Sequence, residues 1–151
     1  MAKFIYRMQN ILDIKYKIES QARSHYSNMQ AKLMEEESKL EQMFAYKKEL
    51  EDNYREFATG PLKMRELADA KNAIEFQRKA IKSQLVEVKV ANKNLENARI
   101  RLNEVIKDRK THEKLRENAF EEFLQELSEE EKKEIDELVS YKYSPQDEDD
   151  M

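Results

Sequence analysis

Two histidines and two short runs of glutamate are the side chains best suited to chemistry in this chain of 151 residues. A metal site would need His25 or His112 to have a cysteine or clustered carboxylate partners in the right spacing, and neither has them. The runs Glu35-Glu36-Glu37 and Glu129-Glu130-Glu131 have no neighbouring base or cleft to shift a carboxylate pKa. Cysteine is absent, which excludes disulfides and thiolate ligation. No glycine-rich loop exists to cradle a phosphate. These features predict no catalytic residue, no metal and no bound cofactor, and so a protein that is not an enzyme. The histidines are expected at polar positions of a helical seam, and the glutamates on solvated helix faces.

The elements that would position such residues are helices. Charged residues make up 40% of the chain, with one glycine and two prolines, too little punctuation for a sheet. In the first helix, Ala22, Tyr26, Met29, Leu33, Glu36, Leu40, Met43, Lys47, Leu50, Tyr54 and Phe57 alternate steps of four and three, with only Glu36 and Lys47 polar. That is the a/d seam of a coiled coil. Upstream, Ile11, Ile14 and Ile18 read as a continuation joined to Ala22 through a stutter. A second series, Leu67, Ile74, Ile81, Val88, Leu95 and Leu102, repeats every seventh residue. Ala70, Gln77, Gln84, Ala91, Ala98 and Val105 fill the positions three residues on.

Between the two series lies Gly60-Pro61. Gly60 is expected in the left-handed conformation that closes a helix, and Pro61 at the start of the next. The predicted fold is all-α: a long antiparallel two-helix coiled-coil hairpin. Helix 1 is expected over about residues 5–58, the turn over 58–62 and helix 2 over 62–127. Residues whose numbers add to about 120 then share a height, and the product is a slim rod with both termini at one end. Ser128 followed by Glu131 has the form of a capping box, which predicts a short helix over 129–142. Continuation of helix 2 through Ser128 is the alternative. Residues 1–143 form a single hairpin domain in this reading, and 144–151 an acidic disordered tail.

Charge is segregated along the chain. Residues 75–116 carry 12 basic and 6 acidic side chains, whereas residues 117–151 carry 3 basic and 14 acidic. The basic stretch is interleaved with Glu and Asn and lacks an aromatic platform, so it reads as a solvated face paired with acids, or else as a surface for an acidic protein rather than for nucleic acid. The first ten residues have no signal-peptide pattern, and no stretch approaches the roughly 18 apolar residues of a membrane span. Phe44, Tyr46 and Phe76 fall beside the seam. They either form an exposed contact site near the turn or widen the seam and stay buried.

The opening KFIYRMQNILDIK and the closing KKEIDELVSYKY complete a pattern that resembles the FliJ family of flagellar export proteins. Phe4, Tyr6, Ile11, Leu12 and Lys15 match its basic-aromatic and leucine-rich start. Asn72-Ala73-Ile74-Glu75-Phe76 resembles a segment early in its second helix, and Ile135-Asp136-Glu137-Leu138-Val139 its closing helix. Ala73 and Ala80 stand where the family often has larger residues. The resemblance implies a cytoplasmic component of type III export at the membrane-embedded apparatus, without membrane insertion of its own. It implies a stalk that enters the ring of the export ATPase FliI, promotes its assembly and activity, and touches the cytoplasmic domain of the export gate FlhA. It also implies handling of export chaperones. Carried over by position, gate contact falls on Met43, Phe44, Tyr46, Leu50, Phe76 and Ala80. Ring contact falls on Phe4, Met8, Ile11, Leu12, Phe120 and Phe123. The competing expectation is a structural or chaperone-type coiled-coil scaffold unrelated to export.

Overall fold

The computed structural model describes residues 3–61, 63–127 and 129–143. Its helices are α1 (Gln9–Thr59), α2 (Met64–Glu126) and α3 (Glu129–Tyr143), and among the described residues there is no strand. Glu, Lys, Leu, Gln and Ala lose little side-chain freedom in a helix, which favours long uninterrupted runs. The chain is all-α: α1 and α2 pack as an antiparallel coiled-coil hairpin, and α3 follows as a short C-terminal helix. Two compact units divide it, one over Glu19–Val105 and the other formed by the segments up to Ile18 and from Ile106 onward.

In the Glu19–Val105 unit the heptads pack as a seam. Every α1 seam position from Ala22 to Tyr54 is buried or half-buried, and so is every α2 seam position from Leu67 to Val105. Ile74, Gln77, Ile81, Ala91, Ala98 and Val105 are the most enclosed on α2. Two of these are alanines, which let the backbones approach closely, while each isoleucine contributes roughly 2–3 kcal/mol by burial. Phe57, at 44% exposure, marks where the seam opens before the turn.

The turn differs from the expected one. No glycine has a positive φ, so Gly60 closes α1 without the left-handed conformation. A Cβ placed there would meet only the Glu56 carbonyl oxygen, at an ordinary 3.8 Å. The helix end is instead tied by Thr59, whose Oγ1 donates to the Glu56 carbonyl at 3.0 Å. Pro61 lies before α2 rather than in its first turn. The helix opens at Met64, and its first turn closes where Leu67 N–H donates to the Lys63 carbonyl at 3.0 Å.

The start of α1 also differs from the expected one. The helix begins at Gln9 rather than near residue 5, because the chain before it leaves the helical path to bring Phe4 onto α2. Ile11 and Ile14 are exposed at 38% and 52%, whereas Leu12 is 2% and Glu19 7% exposed. The heptad therefore needs no stutter: Leu12, Lys15 and Glu19 keep the regular steps to Ala22, and the isoleucines flank them. Charge at two of these positions is tolerated because each is paired. Lys15 Nζ lies 2.7 Å from Asp108 and Glu19 2.9 Å from Arg23. At the other end α2 stops at Glu126 and α3 starts at Glu129, so α2 does not run on. Ser128, the expected cap, and the tail 144–151 lie outside the described residues.

Candidate interaction surfaces

Polar residues on the Glu19–Val105 seam are joined across the helices. Gln77 Nε2 donates to the Met43 carbonyl at 3.0 Å. One heptad on, Gln84 Nε2 donates to the Glu36 carbonyl at 2.9 Å and to its carboxylate at 2.6 Å. Glu36 is only 5% exposed, so the middle of the first acidic run is not solvated helix face as expected. Burial is compensated by Gln84 and by Lys32 and Lys39, 3.0 and 3.5 Å away. The Gln84 amide first, and then Lys32, hold the Glu36 carboxyl below the usual carboxylate range.

Beside this seam lie the residues expected to meet the gate. Met43, Leu50 and Ala80 are half-buried, while Phe44, Tyr46 and Phe76 are exposed at 48%, 52% and 75%. The aromatics therefore form surface and do not widen the core. An open groove of about 390 Å³ is lined by Lys39, Gln42, Met43, Tyr46, Gln77 and Gln84. In the heptad register Tyr46 and Ala80 take g positions and Phe76 a c position, all on one flank. Phe44 takes e, on the other flank. Shared height does not give Phe44 and Phe76 a shared face.

The residues expected at the ring belong to the other unit. Phe4 packs edge-on to Phe120 at 5.1 Å between centroids and tilted on Phe123 at 5.4 Å. Arg116 covers the Phe4 ring at 5.7 Å, and its Nε donates to Gln9 Oε1 at 2.9 Å. A groove of about 560 Å³ runs beside this cluster between Phe4, Tyr6 and Met8 on one wall and Ala119, Phe123 and Glu126 on the other. Met8 is 41% exposed and Ile11 38%, so both are reachable, whereas Leu12 is core. Tyr16, which the sequence reading did not single out, donates its hydroxyl to Glu113. That hydrogen bond, more than burial, pushes the Tyr16 hydroxyl up from its ordinary range.

The histidines divide. His25 is exposed and sits one residue off the seam, so it does not set register as expected. His112 is on the seam, with Nε2 3.6 Å from Asp108 and a buried Nδ1 that has no hydrogen-bond partner. Among the described residues, no group of three or more His, Cys, Asp or Glu could hold a metal ion. Nor is any helix among them long and apolar enough to cross a membrane.

Compared with known proteins, the chain matches one family model, described as flagellar FliJ protein, over residues 4–148. No curated protein and no solved structure matches it.

Proposed function

Because the chain belongs to the FliJ family of flagellar export components, we propose that it is the non-enzymatic stalk of the export ATPase. In this reading it enters the FliI ring, promotes ring assembly and turnover, and couples the ring to the cytoplasmic domain of FlhA and to export chaperones. It works in the cytoplasm beside the membrane-embedded apparatus. The family match over nearly the whole chain carries this reading.

The surface is compatible with two separate contacts. Tyr46, Phe76 and Ala80 offer an aromatic flank to the gate, with Met43 and Leu50 behind them. Phe44 is assigned to the same contact, reached from the opposite flank. Met8, Ile11 and the Phe4–Phe120–Phe123 cluster offer an apolar surface to the ring; Leu12, assigned to the same contact, is buried. ATP hydrolysis by FliI, titrated with this protein, tests the ring contact. Turnover and ring formation should rise, and Met8→Asp with Ile11→Asp should abolish most of the rise while helicity stays intact. Unchanged turnover with the intact chain would sink the stalk reading.

A further inference from the structure

The outer face of α2 carries a charge that nothing else in the described chain neutralises. Lys79, Lys82, Lys89 and Lys93 are all exposed, and none makes an ion pair or hydrogen bond among the described residues. Some lysines elsewhere are paired: Lys15, Lys32 and Lys39 each reach a carboxylate. Val86 and Val90 stand among the four free lysines, exposed at 56% and 48%.

These six side chains share one stripe. At about 100° per residue they fall within an arc of roughly 100° on the side of α2 away from the seam. Their spacing is heptad spacing: Lys79, Val86 and Lys93 are seven apart, as are Lys82 and Lys89. Such a periodicity matches another helix laid alongside, whose own residues recur at the same interval.

We propose that the 79–93 face of α2 is a docking surface for an acidic amphipathic α-helix of a partner protein. The partner helix carries carboxylates at heptad spacing on both sides of a narrow apolar line. The lysines meet the carboxylates and the valines meet the apolar line. A lipid surface fits less well, because an interfacial helix needs a broad apolar face and the apolar face of α2 is spent on the seam. Duplex nucleic acid would leave the two valines without a role, and the stripe contains no arginine to read or clamp phosphates. This assignment does not depend on the stalk reading.

The test uses the full chain and a labelled synthetic helix about three heptads long, with glutamates flanking a valine-leucine line. Fluorescence anisotropy should show binding that weakens with salt. Reversing all four lysines to glutamate should weaken it at least about tenfold. Val86→Ser with Val90→Ser should weaken it about fivefold or more, because the apolar line loses its counterpart. A peptide of the same composition without the heptad order should bind more weakly still. Far-UV circular dichroism checks that each variant remains helical, and Lys→Gln at the four positions replaces the reversal if that variant does not fold. Equal binding of the serine variant and of the scrambled peptide would mean non-specific charge attraction and overturn the proposal. Retention on phosphatidylglycerol vesicles without peptide binding, or salt-sensitive self-association through the stripe in sedimentation equilibrium, would overturn it as well.

Discussion

The two compact units hold their helices together by different means. In the Glu19–Val105 unit a regular, mainly apolar seam carries few polar positions, and two of them, Gln77 and Gln84, each reach a main-chain carbonyl of the opposite helix. In the unit formed by the two ends of the chain, the contacts are made by side-chain tips: Lys15 to Asp108, Tyr16 to Glu113, Arg116 to Gln9, and three phenylalanines on one another. Repetition spreads stability over many equivalent positions. Individual contacts concentrate it in a few, and those respond to pH and salt.

Substitutions should separate the two modes. The largest effect is expected at Ile81, 6% exposed in the regular seam, where Ile81→Ala should cost about 2–4 kcal/mol and lower Tm for the hairpin. Phe4→Ala should cost less, about 1–2 kcal/mol. Its effect should be local: amide exchange would quicken around residues 109–123 and stay unchanged around residues 74–91. Exchange that quickens uniformly would show that the two units unfold as one.

Glu36 provides a pH test of the regular seam. Its folded pKa lies below the ordinary carboxylate value, so its stabilisation is present above the unfolded pKa. It is lost as pH falls through the folded value. Urea midpoints measured from neutral pH down to about pH 3 should fall, and Glu36→Gln should flatten that decline.

Tyr16 gives the opposite sign in the other unit. Its folded pKa lies above the ordinary tyrosine value, so its contribution is full below the unfolded pKa and disappears as pH rises through the folded one. Tyr16→Phe should remove only a few tenths of a kcal/mol, because the side chain is solvent-screened, and only below that alkaline window. The smallest change is expected at the turn. Gly60→Ala should shift stability by less than about 0.5 kcal/mol, because φ is not positive and the new methyl has room.

The seam of the Glu19–Val105 unit was legible because its period is long and its apolar residues are many. Even Glu36 and Lys47 could be placed on it by spacing alone. The start of α1 misled because hydropathy and period disagree there. Ile11, Ile14 and Ile18 look like a stripe, yet the regular steps from Ala22 lead through Glu19 and Lys15 to Leu12. Period prevailed because Arg23 and Asp108 neutralise the two charges. The Gly60 error came from reading a residue's freedom as its use. For the surfaces, spacing identified Phe76 and Tyr46 as off the seam. It could not show that Phe44 faces the other flank until heptad letters replaced height as the criterion. The contact of Tyr16 with Glu113 left no trace in the sequence, since a lone tyrosine at an e position has no pattern to betray it.

The two glutamine bonds have an implication for how this chain can vary. Gln77 and Gln84 take hold of carbonyls that every amino acid carries. Residue 43 can therefore be exchanged freely without deleting the link it receives, and residue 36 retains its main-chain link even if the carboxylate is lost. The alignment of the two helices is thus insured on α1 against drift in its side chains, and the whole liability falls on two amides of α2. Relatives that preserve an amide at these two places can remodel the facing stretch of α1 for new partners and still zip to the same notch.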